Sequence, residues 1–282
     1  MIIGARRLDG RSLFLLFAVI SATIWLYWPF LQTLIAAWGS DDNYSHGYFI
    51  PVITVYMIFS LRTDLRRTSL APNKFGFIVI VFGLLLLIAG KVGAEFFTQR
   101  FSLIIVLMGI VLFLCGTAYF NKLFLPLLYL VFMIPLPAVI WNRIAFPMQL
   151  FGSYLTEKAV YFIGIPIYRE GNVLHLAETT LEVVAACSGL RSLVTMFALA
   201  GALAFFAKLS RVKKWVLFLS AAPIAIFANI VRLTTTAILA SHYGSQVANG
   251  FLHEFSGIFI FFLGLILLVF TNNFLAAKTH RS

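Results

Sequence analysis

Long apolar runs dominate the chain, and their lengths restrict its possible folds more than any other feature. A helix needs about 20 mostly apolar residues to cross a bilayer. The runs that reach or approach this length are 12–38, 48–61, 75–93, 101–118, 122–140, 188–207, 215–240 and 253–275. The second is short and would have to begin near His46 to cross. With 61% apolar and 11% charged residues, the chain has more apolar surface than a soluble domain can bury. We therefore predict an all-α polytopic membrane protein with about eight spans, a single integral-membrane domain over 1–282.

Two segments between these runs have other patterns. Residues 141–164 place Pro147, Gln149 and Glu157 among apolar residues that can share one helical face, which predicts an amphipathic helix lying in the membrane interface rather than a ninth span. Residues 167–184 contain the turn pair Gly171-Asn172 between stretches that alternate or carry β-branched residues. This pattern predicts a small hairpin outside the membrane. The first run follows three arginines without a clear cleavage site, so we expect a retained helix.

The basic residues assign the two faces of the membrane. With the N-terminus inside, 14 of the 21 Lys and Arg residues fall in the predicted cytoplasmic segments. An even number of spans with both termini cytoplasmic therefore satisfies the positive-inside rule at every loop. The net charge of +11 is spread in short clusters rather than along one stripe or tail, so we expect no nucleic-acid partner.

Reactive side chains from four runs are predicted at one depth, near the outer face. They are Cys187 and Ser188 at the start of the sixth run, Arg191 one turn further on the same side, Arg232 high in the seventh run, His253 at the start of the eighth, and His46 at the start of the second. Arg232 follows Trp215 by 17 residues, or about 25 Å of helix.

The shared depth gives these residues their weight. Taken alone, a cysteine or histidine at a helix end is more often structural than reactive. An arginine inside a span is costly and is a functional candidate by default, and Asn229 lies one turn below Arg232 on the same face. Cys115 lies midway through an apolar run and is expected to pack as a small hydrophobic residue.

The chemistry that such groups can perform together is acyl transfer. A helix N-terminus and neighbouring cations lower a thiol pKa, which makes Cys187 a candidate nucleophile. His253 can protonate a leaving amine and later activate a second nucleophile. Arg232 can hold the oxyanion that forms at the attacked carbonyl. No cofactor and no metal ion is expected, because the histidines and cysteines lack the usual metal-ligand spacing.

These residues resemble the exosortases, integral-membrane cysteine transpeptidases of Gram-negative bacteria, and their archaeal relatives, the archaeosortases. The most specific match is Ala186-Cys187-Ser188-Gly189-Leu190-Arg191-Ser192-Leu193. Weaker matches are Tyr44-Ser45-His46-Gly47, Asn229-Ile230-Val231-Arg232, and His253 followed by Gly257. The resemblance implies Cys187 as nucleophile, Arg232 on the oxyanion side and His253 as acid and base. It also implies that His46, Arg191 and Asn229 belong to the site region. Members often have a glutamate two residues before the cysteine, where this chain has Ala185.

The resemblance also implies a substrate and a location. Substrates of the family are exported proteins that end in a Pro-Glu-Pro-like motif, a transmembrane helix and a basic cluster, and the family is associated with exopolysaccharide production. The implied location is the bacterial inner membrane, with residues 141–187 forming the periplasmic and interfacial segment that leads to Cys187. An acceptor nucleophile of unknown identity would resolve the thioester. Membrane lipids are the other expected partners.

Three other functions fit parts of the sequence. A polytopic glycan polymerase or ligase would also use outer-face arginine and histidine, but it gives no reason for Cys187 at a helix start. A transporter would favour charges at the membrane midplane, whereas Arg and His in the last four runs lie near one face. A metal site built from Cys187, His46 and His253 would lack close ligand spacing.

Overall fold

Apolar helices make up most of the computed structural model of the chain. The structure describes residues 2, 3, 6, 7, 10–177, 179–183, 189–244 and 251–277, with the backbone alone for 2, 3, 6, 7, 11–13, 16 and 251–260. The chain divides into two compact units, Met1–Pro137 and Ala138–Ser282. Their organisation as one integral-membrane domain stays a prediction.

The first unit begins with a two-residue strand pair, β1 (Ile2–Ile3) and β2 (Arg6–Arg7). Its helices are α1 (Gly10–Ser40), α2 (Phe49–Ser60), α3 (Arg62–Arg66), α4 (Phe75–Val92), α5 (Phe96–Cys115) and α6 (Thr117–Tyr129), with 3-10 segments at Asp42–Tyr48 and Leu130–Met133. Tyr27, Leu87 and Val106 bury one another where α1, α4 and α5 meet.

Glycines let α4 and α5 approach closely. A Cβ on Gly83 of α4 would lie 2.7 Å from Val106 Cγ2 of α5, and one on Gly109 of α5 would lie 2.8 Å from the backbone nitrogen of Ile80. Small residues at such contacts are the usual way in which membrane helices pack, because lipid gives no hydrophobic drive for association. The two helices therefore form a tightly packed antiparallel pair.

Contacts between loops group the ends of the first unit's helices. Lys122, near the start of α6, donates from Nζ to the backbone oxygen of Asp64 at 3.0 Å and to Thr68 Oγ1 at 2.9 Å. At another place, Trp38 Nε1 donates to the backbone oxygen of Met133 at 2.8 Å. The first contacts join residues 64 and 68 to the start of α6, and the side of the membrane on which both lie stays a prediction.

The second unit combines helices with a small sheet. Its elements are α7 (Ala138–Phe162), β3 (Ile167–Glu170), β4 (Val173–Leu176), β5 (Thr180–Glu182), α8 (Leu190–Phe206), α9 (Arg211–Leu219), α10 (Ala221–Tyr243) and α11 (Phe251–Ala277). The sheet is antiparallel in the order β3-β4-β5. The register pairs Ile167 with Leu176 and Val173 with Glu182.

Small residues form the core of this unit. Met196, Ala200 and Ala204 of α8 pack with Leu217 of α9, Ala221 and Ala225 of α10, and Leu268 of α11. Further along α10, Ala237 and Ala240 pack with Val160 of α7 and Leu176 of β4. The sheet is thus seated on the C-terminal half of α10.

The span count differs from the prediction. Among the described residues, four helices are long and apolar enough to cross a membrane, or five if an interrupted pair counts as one span. They are Phe17–Ser40, Phe75–Val92, Phe96–Cys115 and Arg211–Tyr243, and the interrupted pair is Thr117–Met133 with Ala138–Phe162. Eight spans are not confirmed, because α2, for example, has 12 residues and so reaches about 18 Å. A multi-pass membrane protein is supported.

The predictions for residues 141–164 and 167–184 have different outcomes. The predicted hairpin forms, and β5 adds a third strand. Residues 138–162 form the helix α7, which packs along α10, and its position in the membrane interface stays a prediction. Gly152 adjoins Leu233 of α10, and Val160 adjoins Ala237, so the two helices run side by side in the same direction. The small Gly152 permits this approach.

Candidate functional site

The segment that carries the predicted nucleophile is held at both ends against α10. Residues 184–188, which include Cys187 and Ser188, lie outside the described residues. Before them, Val183 is buried in a cluster with Leu174 and Leu233. The backbone nitrogen of Val183 donates to the oxygen of Asn172 at 2.9 Å, and Asn172 Nδ2 donates back to the oxygen of Val183 at 3.2 Å. Val183 is thus held beside Leu233, one turn beyond Asn229 on α10.

After the segment, Gly189 precedes the first residue of α8. Its φ of 81° is in the left-handed region, which glycine adopts without strain. The backbone nitrogen of Leu193 donates to the oxygen of Gly189 at 2.8 Å, which closes the first turn of α8. The first amide groups of a helix point out of its N-terminal end. Gly189 therefore stands at the positive end of α8, two residues after Cys187 in the chain.

Asn229 of α10 packs directly against this turn. Its side chain is buried, with 4% of its surface exposed. A Cβ on Gly189 would lie 2.7 Å from Asn229 Cγ and 2.9 Å from Nδ2. On another side, a Cβ on Gly152 of α7 would lie 3.8 Å from the same Nδ2. The carboxamide therefore lies where α7, α10 and the start of α8 meet.

The two predicted arginines lie close to this junction. Arg232 follows Asn229 by one helical turn, and residues three apart share a helix face. Arg191 is in the first turn of α8, where its backbone oxygen accepts a hydrogen bond from Thr195 Oγ1 at 2.9 Å. Both arginines are half-buried. The structure thus brings the middle of α10, with Asn229 and Arg232, to the first turn of α8, which carries Arg191.

Contacts of α11 with α8 and α10 show which part of α11 lies beside these residues. A Cβ on Gly264 of α11 would lie 2.6 Å from Met196 Cε of α8 and 3.9 Å from Ile224 Cγ2 of α10. Lys213 Nζ donates to the backbone oxygen of Leu275 at 2.9 Å. Because residue 275 adjoins 213 and residue 264 adjoins 224, α11 runs antiparallel to the pair α9 and α10.

The backbone position of His253 follows from these contacts. Distances are taken along the helix axes at 1.5 Å per residue, from the level at which Met196, Ile224 and Gly264 meet. On this measure Gly189 lies about 10 Å, Arg232 about 12 Å and His253 about 16 Å from that level, all in the same direction. The helix that carries His253 therefore begins near the level of the α8 turn. The side chain of His253 lies outside the described part of the chain.

His46 has a different setting, in the first unit. It lies in the 3-10 segment Asp42–Tyr48, and its Nε2 is 3.1 Å from the backbone oxygen of Phe132. Burial lowers the pKa of His46, and hydrogen bonds with the backbone of Phe132 and Asn43 oppose the shift only in part. The ring therefore stays neutral at neutral pH, with a backbone carbonyl as its contact.

An apolar cavity adjoins Asn229 between α7 and α10. Its volume is about 240 Å³, and its lining is apolar apart from Asn229; the lining residues are Pro147, Met148, Phe151 and Gly152 of α7 and Ile226, Asn229 and Ile230 of α10. The α7 side of this junction has a sequence signal, since Gln149, Gly152, Ser153 and Thr156 recur at helical spacing. All four are buried, whereas Asn142, Arg143 and Lys158 of the same helix are exposed.

Fold and site together define a multi-pass helical membrane protein with polar residues gathered where α7, α10 and the start of α8 meet. A protein-family model, described as transmembrane exosortase (Exosortase_EpsH), matches residues 38–270. The chain belongs to the transmembrane exosortase family, a class of membrane proteases and transpeptidases that act on exported proteins with sorting signals. Comparisons with curated proteins and with solved structures found no match.

Proposed function

We propose that the protein is a membrane cysteine transpeptidase in which Cys187 is the nucleophile, His253 the acid and base, and Arg232 the oxyanion-stabilising residue. Ser188, Arg191 and Asn229 would support the site. We assign the proton transfers to His253 rather than His46, because the described ring nitrogen of His46 is engaged with a backbone carbonyl.

The observation that carries the proposal is the anchoring of residues 183 and 189 on α10. Val183 packs near Leu233 and Gly189 packs on Asn229, so the described residues on either side of Cys187 both contact the part of α10 that contains Arg232. Covalent geometry keeps the Cα atom of Cys187 within about 7 Å of that of Gly189. A guanidinium on the adjacent turn can therefore serve a carbonyl that the thiolate attacks.

The proposed chemistry runs in two steps. The Cys187 thiolate attacks the carbonyl carbon of the scissile peptide bond, and Arg232 stabilises the negative charge on the oxygen. The C–N bond then breaks, the leaving amine takes a proton from His253, and a thioester remains on Cys187. An acceptor nucleophile gives its proton to His253, attacks the thioester and releases the thiolate.

The family suggests the substrate and the location. We propose exported proteins whose C-terminal tail has a Pro-Glu-Pro-type motif, a transmembrane helix and a basic cluster. Such a tail would stop in the inner membrane with its motif at the periplasmic surface. The start of α8 is the positive end of a helix dipole, which favours the thiolate form of a nearby cysteine.

Processing of a co-expressed reporter tests the proposal. The reporter is an exported protein with a Pro-Glu-Pro-type tail, and cleavage is seen as a size shift on a gel. We expect the shift with the wild type and with Cys115→Ala, and its loss with Cys187→Ala. Cys115 is a suitable control because it is half-buried at the end of α5, in the first unit. Continued processing by Cys187→Ala would contradict the proposal and direct attention to a glycan polymerase or ligase activity.

A further inference from the structure

We propose that Asn229 is a positioning residue whose carboxamide, held between Gly152 and Gly189, fixes the turn that presents Cys187. Its meaning for catalysis rests on the proposed function. The juxtaposition itself involves described residues only.

The contact between Asn229 and Gly189 leaves no room for a side chain at position 189. Cβ, Cγ and Nδ2 of Asn229 would all lie within 2.9 Å of a Cβ at position 189. Real Cβ atoms do not approach other atoms so closely, so only glycine fits there with Asn229 in place. The left-handed φ of Gly189 also favours glycine at this position, independently of the packing. The Asn229 side chain and the backbone turn at Gly189 are therefore in direct contact.

The carboxamide of Asn229 is also close to α7. Gly152 of α7 lies opposite, where an added Cβ would be 3.3 Å from Leu233 Cδ1 as well as 3.8 Å from Asn229 Nδ2. Leu233 in turn packs in the cluster that buries Val183. Asn229 and Leu233 of α10 therefore contact α7 and also the two described residues on either side of Cys187, Gly189 and Val183.

The packing of Gly189 has a consequence for the thiol. Cys187 precedes Gly189 by two residues in the chain, so covalent geometry makes the place of its thiol depend on the conformation of Gly189. Removing the carboxamide would leave Gly189 without its packing partner on α10. The position of the thiol relative to Arg232 and to the α8 dipole would then change, while the helices stay folded.

The test measures Cys187 directly and needs no substrate. The chain has two cysteines, so in a Cys115→Ala background Cys187 is the only thiol, and its rate of alkylation by iodoacetamide is followed against pH. We expect Asn229→Ala and Gly189→Ala each to move the midpoint of this profile by about half a pH unit or more. In the reporter assay we expect kcat to fall about tenfold or more with little change in KM.

Gly164→Ala is the matched control. Gly164 also has a positive φ, of 91°, but an added Cβ would have nothing within 4 Å, so this variant has the backbone strain without the collision. We expect its alkylation profile and kcat to match the wild type. We also expect the double variant Gly189→Ala/Asn229→Ala to lose less activity than the product of the two single losses, because alanine at position 229 lacks Cγ and Nδ2, two of the three atoms that collide with the new methyl group.

The outcomes separate the two proposals. Alkylation profiles of Asn229→Ala and Gly189→Ala that coincide with that of Gly164→Ala would overturn the positioning role. Shifted profiles in a protein that never processes a reporter would support the positioning role and contradict the proposed function.

Discussion

The substitution Gly109→Ala is predicted to destabilise the α4–α5 pair, and the structure sets the size of the effect. The new methyl group would lie 2.8 Å from the backbone nitrogen of Ile80 and 3.1 Å from the oxygen of Gly76. Ordinary contact begins near 3.4 Å, so the helices must separate by about half an ångström, which forfeits roughly a quarter of each van der Waals contact along the interface. Backbone atoms cannot rotate away as a side chain can.

Two opposing terms give the net value. Overpacking of this kind costs about 1–3 kcal/mol, and the backbone contact points to the upper part of that range. Replacing a helical glycine by alanine returns about 0.5–1 kcal/mol. We therefore expect a net loss of about 1–2 kcal/mol in the free energy of unfolding.

Equilibrium unfolding in mixed detergent micelles, followed by tryptophan fluorescence, measures this loss. Gly10→Ala is the control, because Gly10 opens α1 and has nothing within 4 Å of an added Cβ. It should be neutral or slightly stabilising. Gly76→Ala, which collides with the backbone of Phe113, should be as harmful as Gly109→Ala, and the double variant should cost less than the sum, because the helices are already apart. A Gly109→Ala protein as stable as the wild type would contradict the close backbone contact between α4 and α5.

Three further predictions concern the first unit. His46→Gln should flatten the pH dependence of stability, because the pKa of His46 is lowered on folding. The contribution of His46 to the free energy of unfolding is full above the unfolded pKa of about 6.5, and it is lost as the pH falls through the lowered pKa of the folded state. Unfolding measured from pH 5 to 8 should show this slope in the wild type, and an equal slope in the variant would contradict it. Glu95→Gln should cost about 1 kcal/mol at pH 7, because burial, which raises the pKa of Glu95, is outweighed by hydrogen bonds from the first turn of α5 that lower it. That difference should vanish as the pH falls through the lowered pKa, and a cost that persists in acid would exclude the carboxylate cap. Trp38→Phe should cost about 1 kcal/mol by losing the hydrogen bond to Met133, and unchanged denaturation midpoints would contradict this.

Apolar periodicity and charge predict much of the fold. The membrane class, α4, α5 and the turn at Gly171-Asn172 follow from local sequence, since run length and turn residues act without knowledge of distant partners. The number of spans does not follow. The apolar run at 48–61 forms only the 12 residues of α2, and hydropathy does not report where a helix ends against its neighbours.

The contacts around Asn229 could not be predicted from the sequence. Sequence spacing places Asn229 below Arg232 on one face of α10 and Gly189 next to the Cys187 segment. It does not bring Asn229 to Gly189, because they are 40 positions apart and only tertiary packing joins them. The role of Gly152 is hidden for the same reason, since only the packing shows that Gly152 and its neighbours Gln149, Ser153 and Thr156 form a buried side of α7. In a membrane protein such residues mark helix contacts.

Trapping the acyl-enzyme shows whether Cys187 forms the proposed thioester. The wild type is mixed with the tailed reporter, quenched at short times in denaturant, and examined by intact and peptide mass spectrometry. We expect a covalent adduct between the reporter body and the peptide that contains Cys187, cleaved by neutral hydroxylamine as thioesters are, and absent from Cys187→Ala. Cleavage of the reporter by Cys187→Ala, or a hydroxylamine-sensitive adduct on another residue, would contradict it.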